Sequence, residues 1–370
     1  MAGSACDSNS IRGCDGGSLT AGTLPSLPGR HPSARPCWGR IRNQPAGGRL
    51  SAGTAVSRAG HGQRGGTVLV WVPTLEAAAA LAGLPDAAVQ VVSPVGGPLP
   101  AGADQVEFYV PPFFPVPAAI EIIGRMPRLR VVQALTAGVD RFLPHIPPGV
   151  RLCNARGVHD ASTAEWVVAA ILAAVRDLPY FAQEQAAHRW SYRFTDCLAG
   201  KSVLIVGYGS IGEAVERRLA GFEVEVRRVA RQARDGVAPV SQLPGLLPAA
   251  DVVVVLAPVT PQTIGMVDAD FLARMKDGAL LVNAALGSLA VTAALTAELR
   301  RGRIRAVLDV TDPEPLAPDH PLWEVPGVLI TPHVAASTPV SVTRMLAFVR
   351  AQAERYLAGQ PLQNVIEGQY

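Results

Sequence analysis

The feature that most constrains this chain is a glycine-rich turn within residues 201–212, which read KSVLIVGYGSIG. The four aliphatic residues 203–206 predict a strand that is buried on both faces of a parallel sheet. Three glycines follow at G-x-G-x-x-G spacing, and residues 213–219 then carry apolar side chains at helical spacing. The stretch therefore predicts a strand, a tight turn and a helix in direct succession.

This strand–turn–helix unit predicts a dinucleotide site. Gly207 permits the turn, Gly209 lets backbone approach a pyrophosphate, and Gly212 lets the helix pack closely against the strand. The amides of Ser210 and Ile211 then face an anion at the start of the helix. Glycine-rich turns occur in many α/β proteins, but the position of this one between such a strand and such a helix favours dinucleotide binding.

Aliphatic runs alternate with helical patterns from residue 67 onward, which predicts parallel sheets of the α/β class. Strands are expected at residues 67–73, 89–92, 105–110, 129–135, 150–153, 203–206, 223–229, 251–256, 279–283, 304–309 and 328–331. Helices are expected at residues 75–84, 118–126, 162–176, 213–219, 241–247, 268–275, 292–301 and 338–357. We expect a small α/β domain from residues 67–162 and 336–370, and a doubly wound dinucleotide-binding domain from residues 163–335.

Two helix ends and one surface segment have local signals. Ser162 and Glu165 have the spacing of a capping box, which predicts that the helix joining the two domains begins at Ser162. Gly221 is a candidate C-cap for the helix after the glycine turn. Residues 179–200 are polar but contain aromatic residues, among them Trp190, Tyr192 and Phe194, and we interpret them as surface structure or a dimer contact.

Residues 1–66 differ from the rest of the chain. They are rich in Gly, Ser, Pro and Arg and show no helical or strand period, so we predict a disordered extension. They lack the continuous apolar core of a secretory signal and the amphipathic stretch of a transit peptide. The segment holds eight arginines against two aspartates, so the net charge of +3 for the whole chain leaves −3 on the remainder.

The composition excludes several functional classes. A body of net charge −3 has no basic surface for nucleic acid, and no apolar run approaches the ~18 residues of a membrane span. Three of the five cysteines lie in residues 1–66 at spacings that match no zinc site, and the other two are too few for a disulfide framework. His145, His188 and His320 have no metal-ligand spacing. We therefore assign no metal and expect a reducing, cytoplasmic setting.

From residue 67 to its end the chain resembles the D-isomer-specific 2-hydroxyacid dehydrogenases of the glyoxylate/hydroxypyruvate reductase type. The motifs stand in the family's order and spacing: TAGVD (136–140), NARGVHDASTAEW (154–166), VLIVGYGSIG (203–212), LAPVTPQTIGMVD (256–268), MKDGALLVNAA (275–285), LDVTDPEPL (308–316) and HPLWEVPGVLITPHVAAST (320–338). The resemblance implies a Rossmann nucleotide domain, a smaller flavodoxin-like substrate domain and a homodimer. It also implies reversible hydride transfer between a nicotinamide and a 2-keto or 2-hydroxy acid.

The resemblance assigns proton transfer to His333, with Glu314 as its carboxylate partner. A histidine can exchange protons near neutral pH, and a carboxylate fixes its tautomer. Taken singly, His333 could be a polar residue at a strand end and Glu314 a solvated loop carboxylate. Together, in matching motifs after predicted strands, they favour an acid/base pair at the edge where an α/β sheet binds its ligand.

The chain departs from the family at the third catalytic position. The family's V-N-x-x-R-G motif supplies an arginine that holds the substrate carboxylate and polarises the carbonyl, but residues 282–287 read VNAALG, with Leu286 at the arginine position. Leucine offers no charged, bidentate grip on a carboxylate. The family's acidic residue just beyond the motif is also absent, because residues 288–291 read SLAV.

Three explanations of Leu286 stay open. First, the protein is weakened or inactive in catalysis but still binds cofactor. Second, its substrate is a carbonyl compound without a carboxylate. Third, another arginine reaches the site, or the leucine is a substitution in a lineage that is otherwise active. Our leading hypothesis is an oxidoreductase with weakened activity. The alternative is a catalytically silent dinucleotide-binding protein. His333 and Glu314 favour the enzyme, and Leu286 favours the alternative.

The turn after the strand at 223–229 predicts which coenzyme binds. NAD-binding folds place Asp or Glu about 20 residues beyond the glycines, on the ribose 2′-hydroxyl. Residues 230–234 read ARQAR, so that carboxylate is missing, while Arg231 and Arg234 are available for a 2′-phosphate. We predict that NADP(H) binds in preference to NAD(H). The alternative is that Arg231 and Arg234 form only a solvated basic turn.

The resemblance implies further positions that would line the cofactor site or the substrate site. The cofactor-lining positions are Asp309, expected near the nicotinamide carboxamide, Pro258 and Thr263. The substrate positions are Ala137 and Gly138, whose loop amides would receive the carboxylate, with Phe113 and Phe114 shaping the pocket. For Asp140 and His159 we favour a structural role in turns.

Overall fold

Two parallel sheets form the framework of the protein. The computed structural model describes residues 66–92 and 99–367, all within one unit, Gly60–Tyr370. The expectation for residues 1–66 therefore lies almost entirely outside the described residues. None of the helices in the described ranges is both long and apolar enough to cross a bilayer.

The first sheet has five strands in the spatial order β2-β1-β3-β4-β5, all parallel. They are β1 (Val68–Val72), β2 (Ala87–Val91), β3 (Val106–Tyr109), β4 (Val131–Gln133) and β5 (Arg151–Cys153). This order is that of the flavodoxin-like doubly wound fold. The sheet's core lies on both faces, because Val70 and Val72 pack into one apolar cluster and Trp71 and Tyr109 into another.

The second sheet has seven parallel strands in the order β12-β11-β10-β9-β6-β7-β8. They are β6 (Ser202–Val206), β7 (Glu225–Ala230), β8 (Ala238–Pro239), β9 (Val252–Val255), β10 (Leu280–Asn283), β11 (Arg305–Leu308) and β12 (Val328–Ile330). The direction of winding reverses between β6 and β9, which is the Rossmann arrangement with its switch point at β6. Both fold-class predictions are confirmed.

Helices cover the two sheets. They are α1 (Leu75–Ala80), α2 (Pro117–Glu121), α3 (Asp160–Val175), α4 (Leu178–Ala186), α5 (Ser210–Leu219), α6 (Leu243–Leu246), α7 (Ala269–Arg274), α8 (Thr292–Arg300) and α9 (Pro339–Leu357). Short 3₁₀ turns occupy Ile122–Arg125, Leu143–His145, Val240–Gln242, Leu247–Ala249, Gly287–Leu289 and Pro321–Glu324. Strand β6 is buried throughout, because Leu204 and Val206 join the cluster on one face and Val203 and Ile205 join the cluster on the other.

The helices α3 and α9 connect the two sheets. Chain passes from β5 through α3 to β6, and returns from β12 through α9 to pack Val349 and Tyr356 against the first sheet. Where the two helices begin, a ring of hydroxyls joins them: Ser162 Oγ lies 2.7 Å from Thr338 Oγ1, and Ser341 Oγ donates to Ser162 Oγ at 2.8 Å. The junction is thus held by hydrogen bonds between buried or half-buried side chains.

Two local predictions were wrong. Helix α3 begins at Asp160, not at Ser162, because the Ser162 hydroxyl bonds to Thr338 rather than capping its own helix. The C-cap of α5 is Ala220, one residue before Gly221. Two elements were not anticipated: helix α4, which has no buried residue and overlaps the segment at 179–200, and strand β8, whose two residues carry no period.

Backbone packs directly against backbone at the carboxyl edge of the second sheet. Gly287, after β10, lies so close to the loop after β11 that a Cβ there would stand 1.9 Å from the carbonyl oxygen of Thr311. Gly207, after β6, has φ +99°, and a Cβ there would stand 2.3 Å from the amide nitrogen of Ala257. Any side chain at either position would push neighbouring loops apart.

We therefore expect Gly287→Ala to destabilise the fold by about 2–4 kcal/mol, since the loop at Thr311 must move to admit the methyl group. The free energy of unfolding from urea denaturation measures the effect. Gly221→Ala is the matched control, because nothing lies within 4 Å of a Cβ at that position. Equal stability of the two variants would contradict the tight approach at Gly287.

Candidate active site

The glycine turn lies at the switch point of the second sheet. Gly209 precedes the first turn of α5, and no side chain caps that start among the described residues. The Ser210 hydroxyl instead donates to Asp160 at 3.1 Å, which ties α5 to α3. Among the residues that the structure describes, the start of α5 thus has no side-chain cap, and it follows a turn in which Gly207 leaves no room for a Cβ. This arrangement fits a diphosphate, whose oxygens would accept hydrogen bonds from the backbone amides at the start of α5.

The end of β7 carries a cluster of arginines around Tyr208. Arg234 donates to the carbonyl oxygen of Tyr208, and its guanidinium lies 5.5 Å from the centroid of that ring. Arg231, the first residue after β7, is exposed. The structure thus places both sequence-predicted arginines at the turn beyond the glycines, with Arg234 already held against Tyr208.

Sequence reasoning missed a third arginine in this cluster. Arg228 Nε donates to Glu216 on α5 at 2.7 Å, and the Tyr208 hydroxyl also donates to Glu216. The hydrogen bonds from Arg228 lower the pKa of the Glu216 carboxyl below its usual range. The charge of Arg228 is therefore paired inside the fold, which leaves Arg231 and Arg234 as the cations facing outward. The spacing of Glu216 and Arg228 gave no signal of this pair.

His333 and Glu314 meet at the carboxyl ends of β12 and β11. The imidazole Nδ1 lies 2.7 Å from Glu314 Oε1, in a pair whose side chains are 34% and 41% exposed. With Nδ1–H donating to the carboxylate, Nε2 is the nitrogen left to exchange a proton with a ligand. The two residues are 19 apart in sequence and were predicted to pair from two separate motifs.

The backbone of His333 is held in an unusual conformation. Its φ is +53°, in the left-handed region, and its amide donates to the carbonyl oxygen of Asp309 at 2.7 Å. The Asp309 side chain is 2% exposed and accepts from Thr331 Oγ1 at 2.6 Å and from the Val334 and Ala335 amides at 2.9 Å. Asp309 was predicted to lie near the nicotinamide; its observed contacts are with the loop of His333.

Leu286 lies next to this pair of loops. Asn283 Nδ2 donates to the Leu286 carbonyl oxygen at 3.1 Å and closes the turn, and the next residue, Gly287, packs on the backbone of Thr311 in the loop that leads to Glu314. The Leu286 side chain is half-buried. The turn therefore places an aliphatic residue, where the family's motif has an arginine, next to the glycine that packs on the loop leading to Glu314.

Residues from the first sheet face the same place. The Phe114 ring lies edge-on to the His333 ring at 5.7 Å, and Phe113 lies 4.8 Å from Phe114. The loop after β4 is held by Thr136 Oγ1, which donates to the Gly138 carbonyl oxygen at 2.6 Å, and by Asn154 Nδ2, which donates to the Ala137 carbonyl oxygen at 2.8 Å. Carboxyl ends of both sheets thus converge on the imidazole.

His159 lies between these elements. Its Nε2 is 2.7 Å from the Leu135 carbonyl oxygen, its ring is 5.5 Å from Phe113, and its buried Nδ1 has no hydrogen-bond partner among the described residues. Burial lowers the pKa of His159. Burial also raises the pKa of Asp140, in the turn that follows Gly138.

The last two sequence-predicted residues bond to each other. Thr263 Oγ1 donates to the Pro258 carbonyl oxygen at 2.6 Å, and the Thr260 amide donates to Thr263 Oγ1 at 2.8 Å. These bonds fix the loop after β9, the strand next to β6. The loop is thus positioned at the switch point where a dinucleotide would lie.

Comparison with known proteins identifies the family. A family model described as D-isomer specific 2-hydroxyacid dehydrogenase, NAD binding domain, matches residues 168–335. A glyoxylate reductase/hydroxypyruvate reductase of Mus musculus is 35% identical over 227 residues, which cover 57% of this chain and 68% of that protein. The chain belongs to the D-isomer specific 2-hydroxyacid dehydrogenase family.

Two further members of the family match this chain over different shares of their own length. A D-3-phosphoglycerate dehydrogenase of Mycobacterium bovis is 36% identical over 252 residues, which are 65% of this chain and 47% of that protein, so the chain spans about half the length of this relative. A D-isomer specific 2-hydroxyacid dehydrogenase of Xanthobacter autotrophicus Py2, solved in complex with NADPH and MES, is 30% identical with a TM-score of 0.71. The match covers 82% of this chain and 98% of that structure.

The buried His159 predicts a pH dependence of stability. Because burial lowers its folded pKa below the ordinary value of about 6.5, the unfolded chain takes up the proton first as pH falls. The stability that the neutral, buried His159 contributes is thus complete above about pH 6.5. Below that pH the free energy of unfolding falls by at most about 1.4 kcal/mol per pH unit on account of this residue. Urea denaturation from about pH 7.5 to 5.5 should show a shallower loss of unfolding free energy for His159→Gln than for the wild type. Equal slopes would contradict the inference.

Proposed function

We propose that the protein transfers a hydride between NADP(H) and a small 2-keto or 2-hydroxy acid. The observation that carries the proposal is the 2.7 Å contact between His333 Nδ1 and Glu314, at the edge where both sheets end. The family is an enzyme family of this reaction, and the match to its NAD binding domain includes the glycine turn. A nicotinamide coenzyme supplies and accepts the hydride.

His333 is the acid and base of the proposed reaction. During reduction Nε2–H donates its proton to the carbonyl oxygen of the substrate as the alkoxide forms; during oxidation Nε2 accepts the proton of the substrate hydroxyl. Glu314 keeps the ring in the Nδ1–H tautomer and stabilises the imidazolium. The amides that start α5, at Ser210 and Ile211, would hold the diphosphate, with Pro258 and Thr263 lining the coenzyme.

Substrate binding rests on the first sheet. The amides of the Ala137–Gly138 loop would receive a carboxylate, and Phe113 and Phe114 would wall the pocket next to His333. Leu286 cannot add the charged hydrogen bonds of an arginine, and losing a donor to a developing oxyanion costs about 3–4 kcal/mol, or roughly 10²–10³ in rate. We therefore propose weakened turnover of 2-keto acids.

The second candidate is a catalytically silent dinucleotide-binding protein. The observation that favours it is the half-buried Leu286 beside the Glu314 loop, together with the apolar and hydroxyl side chains that follow it. A related enzymatic variant is turnover of a carbonyl compound that has no carboxylate. The two candidates differ in one measurable property, oxidation of NADPH against a panel of keto acids and aldehydes.

We further propose a cytoplasmic homodimer. Trp190, Tyr192 and Phe194 are 100%, 78% and 90% exposed, and such a patch in one segment is typical of a surface that a partner covers. A second copy of the chain is the proposed partner. Cys153 and Cys197 are both free, which suits a reducing compartment.

Coenzyme preference tests the role of the arginine cluster. We expect NADPH to bind more tightly than NADH, and Arg231→Gln to weaken NADPH alone by about 10- to 100-fold, since a hydrogen bond to a charged group is worth about 1.5–3 kcal/mol. Dissociation constants from calorimetry measure both. Arg227→Gln is the matched control, because Arg227 is an arginine of β7 that pairs with Glu225. Tighter NADH binding by the wild type would overturn the preference.

Restoring the family's arginine tests the meaning of Leu286. Leu286→Arg should raise kcat/KM on glyoxylate and hydroxypyruvate by about 10²–10³, because it adds a donor for the carboxylate and the developing oxyanion. Leu286→Gln, polar but uncharged, is the control and should gain far less. His333→Gln in the Leu286→Arg background should abolish the gain. Failure of Leu286→Arg to gain activity would remove leucine as the cause of weak turnover.

A further inference from the structure

We propose that segment 360–367, which follows α9, positions the Ala137–Gly138 loop, called here the substrate loop. The segment fixes Asn154, and Asn154 fixes the substrate loop. The proposal rests on the proposed function for the role of that loop as the receiver of a carboxylate. It makes Asn154 and Asn364 positioning residues, and the segment lies beyond every site residue that the sequence predicts.

Segment 360–367 runs antiparallel to the end of β5, an edge strand of the first sheet. Val365 forms a bridge with Cys153, and the Asn154 amide donates to the Asn364 carbonyl oxygen at 3.1 Å. Backbone groups at this edge thereby gain partners that the parallel sheet does not supply. The register of the bridge sets Asn364 directly opposite Asn154.

Asn154 connects the segment to the substrate loop. The residue is 5% exposed; its Nδ2 donates to the Ala137 carbonyl oxygen at 2.8 Å, and its Oδ1 accepts from the Arg156 amide at 3.1 Å. The Ala155 amide donates to the Thr136 carbonyl oxygen at 2.9 Å. Two hydrogen bonds from adjacent residues therefore attach the substrate loop to the chain just beyond β5.

Asn364 holds the same stretch of backbone from the other side. Its Nδ2 donates to the Arg156 carbonyl oxygen at 2.9 Å and to the Asn154 carbonyl oxygen at 3.4 Å. Its φ is +53°, in the left-handed region, which asparagine occupies more readily than most residues other than glycine. Both the side chain and the backbone conformation thus suit asparagine at this position.

Two buried glutamines anchor the segment to the first sheet. Gln352 on α9 is fully buried; its Nε2 donates to Gln133 Oε1 and to the Gln363 carbonyl oxygen, both at 2.9 Å, and its Oε1 accepts from the Gln363 amide at 2.9 Å. Gln133, also buried, donates to the Asn154 carbonyl oxygen at 3.3 Å. A buried network with its amides paired in this way specifies one arrangement, so α9, β4 and the segment hold Asn154 together.

This network prepares the substrate loop for a ligand. Amides that receive a carboxylate bind it more tightly when they are already in place, because ordering them on binding costs free energy. The bond from Thr136 Oγ1 to the Gly138 carbonyl oxygen closes the loop on itself, whereas Asn154 and Ala155 attach it to the neighbouring strand end. Since Asn154 is held in turn by Asn364, loosening the segment should loosen the substrate loop.

The experiment removes the two donated hydrogen bonds of Asn364. Asn364→Asp keeps the size of the side chain and turns its NH₂ group into an oxygen that faces two carbonyl oxygens. Asn364→Gly removes the same donors without adding a charge, and glycine accepts a φ of +53°. Gln363→Glu is the matched control, because this exposed neighbour contacts Gln352 through its backbone and its side chain makes no hydrogen bond with any residue that the structure describes.

Three properties are measured for each protein: amide hydrogen exchange in peptides that cover residues 134–142, KM and kcat for glyoxylate, and the dissociation constant of NADPH. Both Asn364 variants should speed the exchange and raise KM about 3- to 10-fold, as for the loss of one hydrogen bond. Since the loop would hold the carboxylate equally in the ground state and the transition state, kcat should change by less than about twofold. NADPH binding should stay unchanged, and Gln363→Glu should match the wild type.

Three results would contradict the proposal. The first is unchanged exchange at residues 134–142 in both Asn364 variants, which would give the segment a structural role alone. The second is faster exchange with an unchanged KM, and the third is an equal effect of Gln363→Glu. If the wild type reduces no glyoxylate, the proposed function fails for that substrate, and the exchange of the loop peptides in the variants and the control decides whether the segment positions the loop.

Discussion

The structure depends on peptide groups that pack against each other without side chains between them at the carboxyl edge of the second sheet. Gly207 approaches Ala257 and Gly287 approaches Thr311 at distances that no Cβ would allow. The first approach brings the loop after β9 against the turn that would hold a diphosphate. The second brings the turn of Leu286 against the loop of Glu314. Two glycines thereby bring the glycine turn and the loop of Glu314 to the same edge of the sheet.

Most of the fold could be predicted from the sequence because its signals are local and strong. The aliphatic run 203–206 is buried on both faces, as a central parallel strand must be, and the alternation of β and α patterns leads to doubly wound sheets. The start of α3 could not be predicted, since the Ser162 hydroxyl bonds to Thr338, 176 residues away. Such a contact leaves no trace in the spacing of neighbouring residues.

The site was only partly predictable for the same reason. His333 and Glu314 follow strand ends in motifs of the family, so their meeting could be anticipated. The pairing of Arg228 with Glu216 could not be anticipated. It joins β7 to α5 through two charged side chains, and a charged residue in a sequence is expected to face solvent. The use of Asp309 by the loop of His333 was hidden because the same residue type suits a ligand contact equally well. Leu286 was visible at once, since it replaces a charge in a motif.

The hydroxyl ring at the start of α3 and α9 bears on how the cleft could open. These two helices join the sheets, and Ser162, Thr338 and Ser341 meet where they begin. A hydroxyl turns about its own C–O bond and can exchange one oxygen partner for another, whereas interlocked apolar side chains resist sliding. The crossing of α3 and α9 is therefore a contact that can rearrange without separating apolar surfaces, unlike the packed faces of the two sheets.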